Sequence, residues 1–171
     1  MTTILKTSQG RQFSSAIQEI RDRVRQHIKS GEMTPIYQGD RARSIQILNE
    51  ALATELVCVL RYRCHYYNAE GIHSQAVAEE FLEHAVEEQE HADRIAARIK
   101  QLDGKPDFNP STLVERSHSE YREGTTLLDM IKEDLIAEQI AIESYREIIL
   151  YFGEKDITSR RLIEEILAKE E

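Results

Sequence analysis

The 171-residue chain sets 22 Lys and Arg against 31 Asp and Glu, a formal net charge of −9 that argues against DNA or anionic membranes as partners and suits the attraction of cations. Only 7 Gly and 3 Pro interrupt segments rich in Ala, Glu, Leu, Ile, Lys and Arg, so the composition points to one all-α domain with a real core. No apolar run reaches the roughly 20 residues of a membrane helix and residues 1–10 lack a secretory apolar stretch, so a soluble, cytoplasmic protein is expected.

Residues 1–12 read as a flexible tail whose Lys6 and Arg11 are too few for a nucleic-acid arm. A short helix follows over 14–30, with Ser14 or Ser15 as cap, an apolar stripe of Ile17, Ile20, Val24 and Ile28, and Gly31 as its end. Residues 31–40, with Pro35 and Gly39, form a linker ending on Asp40, a cap for the first long helix. The tail and short helix (1–40) thus stand apart from a helical bundle over 41–171.

The first long helix is expected over 41–68, with the seam Ile45, Leu48, Leu52, Glu55, Val59, Tyr62 and Tyr66, closed by Gly71. Cys58 and Cys64, the only cysteines, sit six positions apart on it and face different ways, so both are read as reduced, buried small side chains. The second long helix, capped by Ser74 and ending near Leu102, carries Val77, Phe81, His84, Glu88, His91 and Ile95 on one side. These two helices form an antiparallel hairpin. The connection over 104–124 contains Pro106 and Pro110, with a short helical turn near Leu113, and has the length of a crossover. Thr125 or Thr126 starts a third long helix with the seam Leu128, Ile131, Leu135, Glu138, Ile142, Tyr145 and Ile149. Gly153 and Asp156 separate it from a fourth, whose seam Ile163, Ile166 and Glu170 reaches the last residues.

Each long helix therefore places a glutamate where an apolar residue belongs: Glu55, Glu88, Glu138 and Glu170. Any one of them alone is explained by a misjudged helix phase, and Glu88 with His91 three residues on is a common pair in an acidic helix. Together they repeat across two hairpins, and a buried carboxylate without a cation is costly or takes up a proton. Two helices giving Glu and two giving Glu-x-x-His is the arrangement that holds two iron or manganese ions in a bundle, with hard oxygens and imidazole leaving positions open for an oxidant. Tyr62, seven residues after Glu55 on the same face, is placed to donate a hydrogen bond to a ligand or an electron to an oxidised centre, and core packing explains it equally well. Tyr66 and Tyr145 read as core aromatics whose hydroxyls find a partner. His84 is read either as a core histidine or as a gate or transient iron site.

The stretches Leu48-Asn49-Glu50-Ala51-Leu52-Ala53-Thr54-Glu55-Leu56, Glu88-Gln89-Glu90-His91-Ala92-Asp93-Arg94 and Asp134-Leu135-Ile136-Ala137-Glu138 resemble the ferritin-like superfamily, and within it the bacterioferritins. The resemblance runs from about residue 41 to 171. It implies an antiparallel four-helix bundle with one long crossover. It also makes Glu55 a terminal ligand of one iron, Glu88 a bridging ligand, His91 a terminal ligand, Glu138 a terminal ligand of the second iron and Glu170 the second bridge. The family's second Glu-x-x-His would put a histidine three residues after Glu170, past residue 171, so the expectation is a shortened last helix or an incomplete centre. The haem-binding methionine of bacterioferritins is replaced by Gln89, a poor substitute for a thioether, so no such haem is expected. A tyrosine common four residues after the helix-two histidine is replaced by Ile95.

What the resemblance implies is a ferroxidase that oxidises Fe(II) with O2 or H2O2 and stores iron inside a homo-oligomer, a 24-subunit cage in the bacterioferritins. Two alternatives use the same residues differently: a di-metal oxidase or peroxide scavenger without storage, and a non-catalytic DNA-protecting or scaffold protein, which the net charge disfavours.

Overall fold

The computed structural model describes residues 13–30, 37–71 and 74–171. The expected tail over 1–12, the stop at Gly31 and the linker to residue 36 lie outside them. Six helices are present: α1 (Phe13–Lys29), α2 (Arg41–Asn68), α3 (Ser74–Gln101), α4 (Leu113–Arg116), α5 (Leu127–Phe152) and α6 (Ile157–Glu170). The chain divides into two units, one holding α1 and one spanning Tyr37–Glu171. α1 already begins at Phe13, so Ser14 and Ser15 lie inside its first turn instead of capping it, a place where their N–H groups need no helical partner.

Within Tyr37–Glu171, α2, α3, α5 and α6 form a four-helix bundle: α2 pairs with α3, α5 with α6, and the pairs meet through α2 against α5 and α3 against α6. Local chemistry sets the helix starts. Asp40 accepts from the Arg43 N–H at 3.0 Å and Thr126 from the Asp129 N–H at 3.2 Å, each satisfying a donor that the first turn leaves free. At the end of α3 the Gly104 N–H donates to the Ile99 carbonyl at 2.9 Å, and a side chain at Gly104 would come within 2.9 Å of Ile45, so only glycine fits this close approach. α6 starts on Asp156, whose carboxylate accepts from the Ser159 N–H (2.9 Å), Ser159 Oγ (2.6 Å), Tyr37 OH (2.8 Å) and Arg98 Nη2 (2.9 Å). That one side chain ties the bundle's first residue to α3 and α6, and these partners hold its carboxyl below the usual range against the opposing effect of burial.

The connection between α3 and α5 lies along α2. Arg116 donates to the Asn49 carbonyl (3.2 Å), the His118 N–H to Thr54 Oγ1 (2.9 Å), and Arg61 Nη1 to the Glu120 carbonyl (3.3 Å). With this cover added to that of the other helices, half of α2 is buried, including residues such as Ala53, Val57 and Arg61 that lie off its expected seam.

The α5 seam differs from expectation. Leu128 and Leu135 are 60% and 64% exposed, and the buried line is Met130, Asp134, Ala137, Ala141, Tyr145, Ile148 and Phe152. α5 turns its small Ala137 and Ala141 into the core and its leucines outward, a phase different from the one that the leucines suggest. Glu138 is consequently half-buried, at the edge of the core.

Candidate metal centre

Midway along the bundle, the apolar seams of α2 and α3 bring Glu55, Glu88 and His91 inward, and the last residue of α6 adds Glu170. One ligand atom from each of these four lies within 4.8 Å of all the others. Glu55 (1% exposed), Glu88 (4%) and His91 (7%) are buried. His91 Nδ1 is the hub, 2.9 Å from Glu170 Oε1, 3.4 Å from Glu88 Oε2 and 3.6 Å from Glu55 Oε2.

Glu138 stands beside this group rather than in it. The Tyr62 hydroxyl donates to Glu138 Oε1, and the Tyr145 hydroxyl, fully buried, donates to Glu55 Oε1. The two tyrosines thus orient two carboxylates, and Tyr145, expected only to find some partner, finds one of the site's glutamates. His84 is not a core residue: its side chain is 47% exposed and its ring stacks on Tyr62, with centroids 5.1 Å apart. The reason is position. His84 lies one turn before Glu88 but flanks a pocket of about 440 Å³ between α3 and α5, to which α6 contributes only Glu170. Glu138 and Glu170 line that pocket, so it gives solvent a path to the carboxylates.

The electrostatics are those of anions forced together. Burial and the charge on Glu55 push the Glu88 carboxyl well above its usual range; burial and the Glu88 charge push Glu138 up to about 9. Burial disfavours a charged His91, but the carboxylates of Glu170, Glu55 and Glu88 outweigh it and push the imidazole up to about 12. The Glu170 carboxyl is lowered, its burial overcome by His91 and Glu138 beside it.

Three carboxylates share one imidazole and a fourth stands beside them, a negative excess that protonation or a bound cation must relieve. His91 Nδ1 and Glu170 Oε1 are close, yet both atoms are buried without a hydrogen bond of acceptable geometry. Orphaned, converging O and N donors of this kind fit divalent iron, manganese or zinc.

A family model for the ferritin-like domain matches residues 45–171, which include all five of these residues. The chain belongs to the ferritin-like family. Bacterioferritin from Rhodobacter capsulatus is 33% identical over 135 residues, covering 78% of this chain and 79% of that protein. Among solved structures, the dodecameric thioferritin of Bacteroides fragilis, a bacterioferritin-related protein, aligns with TM-score 0.74 and 32% identity over 78% of this chain and 80% of that one. The bacterioferritin of Desulfovibrio desulfuricans, whose diiron site was characterised in different catalytic states, aligns with TM-score 0.67 and 28% identity over 77% and 76% of the two chains. The four-helix bundle of this family member is thus the ferritin-like one, and the sequence resemblance holds.

Three buried polar residues beside the centre escape the sequence reading: Arg61, His65 and Asp134. Arg61 Nε donates to Asp134 Oδ1 at 2.8 Å, and His65 Nδ1 lies 2.8 Å from Asp134 Oδ2. The available signal was spacing: Asp134 precedes Glu138 by one turn, and Arg61 and His65 flank Tyr62 on α2. The two cysteines are free, with Cys58 buried and Cys64 half-buried. No described helix is long and apolar enough to cross a membrane.

Proposed function

We propose that this chain is an iron storage and detoxification subunit that oxidises Fe(II) with O2 or H2O2 at a paired metal site within each chain. The observation that carries this reading is the convergence of Glu55, Glu88, His91 and Glu170, with Glu138 adjacent, in which two buried atoms, His91 Nδ1 and Glu170 Oε1, have no hydrogen-bond partner. Two bound irons supply two electrons to the oxidant. The side chains do the rest. Glu55, Glu88, Glu138 and Glu170 hold the cations with His91; Glu88 and Glu138 give up protons as the cations enter; Tyr145 and Tyr62 keep Glu55 and Glu138 oriented. The pocket flanked by His84 admits iron and oxidant, and Tyr62, which lines it and donates to Glu138, is placed to give an electron.

Residue 89 is committed elsewhere, its amide donating to Asp93 at 3.0 Å, and we expect no haem ligand there. Storage requires a shell of identical subunits in the cytoplasm. The bacterioferritin resemblance implies 24 of them, while the B. fragilis relative is described as dodecameric, so particle mass separates the two.

The test is an anaerobic Fe(II) titration of the metal-free protein, then exposure to air, beside Glu88→Ala. About two irons per chain that oxidise on exposure and are lost in the variant support the reading. Binding indifferent to the substitution overturns it. Many further irons per chain in a large particle support storage, and a fixed stoichiometry in a small oligomer favours an oxidase without storage.

A further inference from the structure

The metal centre gives no role to α1. This helix (Phe13–Lys29) belongs to a unit of its own, and none of its described side chains is buried. Its 17 residues are close to the shortest helix that persists in water on propensity alone, so an apolar stripe on such a helix is held by whatever it covers.

At about 100° per residue, Ile17, Ile20, Val24 and Ile28 fall within an arc of about 80°. Arg21 and Arg25 border that arc on one side and Arg23 on the other, with Lys29 beyond Arg25. The acids lie opposite: Glu19 and Asp22 are on the far side of the helix from the stripe, where Asp22 accepts from Gln18 Nε2 at 3.1 Å. α1 is thus basic in a chain whose acidic excess is carried by residues 41–171. Net charge over the whole chain argues against an anionic surface as partner, but it averages α1 with the bundle.

This distribution selects what covers the stripe. Two α1 helices packed stripe to stripe would set the arginines of one against those of the other, so self-pairing is opposed. A flat anionic surface meets the arginines on both flanks at once, takes the isoleucines between them and leaves both acids on the water side. Bundle carboxylates farther than about 8 Å from that surface are screened at physiological salt and oppose the contact weakly.

We propose that α1 lies in the interface of an anionic lipid bilayer, with Ile17, Ile20, Val24 and Ile28 at the boundary of headgroups and acyl chains and Arg21, Arg23 and Arg25 on lipid phosphates. It is a surface contact, since no described helix is long and apolar enough to cross a membrane. The proposal does not depend on the ferroxidase reading.

The chain contains no tryptophan, so Val24→Trp in the full chain places a single indole in the stripe. Its emission is followed during titration with vesicles of phosphatidylcholine alone and of phosphatidylcholine mixed with phosphatidylglycerol. Leu150→Trp, at an exposed position of the bundle, serves as the control. The expected result is a blue shift of the Val24→Trp emission with the mixed vesicles only, reversed by added NaCl, and none from Leu150→Trp. Adding Arg21→Glu and Arg25→Glu should weaken the partition at least about tenfold, with thermal melts unchanged. The salt reversal needs no further substitution, so it reports even if the charge reversals disturb α1. An unmoved spectrum, equal shifts with and without the anionic lipid, or an equal response from Leu150→Trp overturns the proposal. An indole already blue-shifted before lipid is added, and relaxing on dilution, overturns it in favour of a second copy of the chain as the cover.

Discussion

Two buried polar clusters sit one helical turn apart on α5, around Asp134 and around Glu138, and they are balanced in opposite ways. In the first, one carboxylate meets one guanidinium and one imidazole: Arg61 and His65 occupy both Asp134 oxygens, and the spare donors reach the Glu120 and Arg122 carbonyls of the crossover. In the second, three carboxylates surround a single histidine with Glu138 beside them; Glu88 and Glu138 have strongly raised pKa, and two atoms are left without a partner. Burial is shared by both clusters and so distinguishes nothing. Charge balance does: a compensated cluster joins helices, and an uncompensated one must take up protons or a cation.

The comparison breaks first at Asp134. Asp134→Ala leaves Arg61 buried and unpaired and should cost about 3–5 kcal/mol, measured by urea unfolding of the metal-free protein. A loss under about 1 kcal/mol would show that the pair does not join α2 to α5. Asp156→Ala removes another fully satisfied carboxylate, the cap of α6, and should cost about 1–2 kcal/mol by the same measurement. Glu88→Gln should act in the reverse direction: without metal it relieves repulsion and leaves stability unchanged or raised by about 1 kcal/mol, while abolishing stabilisation by added metal. A metal-free Glu88→Gln protein clearly weaker than the parent would place Glu88 among the structural residues.

The smallest effect is one of pH. Glu138 has an ordinary value of 4.5 and a folded value of about 9, so between these the folded state binds the extra proton. Its contribution is therefore fully present below pH 4.5 and is lost as pH rises toward 9. Thermal melts of metal-free protein should show a shallower decline across that range in Glu138→Gln than in the parent. Equal slopes would mean that Glu138 titrates normally.

Glu55, Glu88, His91 and Glu170 were legible because each interrupts an apolar seam, and an amphipathic period exposes such an interruption. The phase of α5 was not, because exposed Leu128 and Leu135 carry more hydrophobic weight than buried Ala137 and Ala141, and a periodic count cannot tell which side a neighbouring helix approaches. Arg61 and His65 were hidden for another reason. They lie where Asp134 of α5 and the crossover together cover α2, and cover that comes partly from an irregular segment leaves no clean period in the helix beneath.

The hydrogen bonds that fasten the crossover to α2 set a gradient of backbone opening across the centre. Amide exchange from α2, enclosed by α3, α5 and the crossover, requires the bundle itself to come apart, whereas α6 packs only on α5 and α3 and can open before the rest. Glu55 thus sits on the most enclosed helix of the bundle and Glu170 on the least enclosed. A cation held between them would join the two, so metal loading should slow amide exchange most in the α6 residues around Glu170.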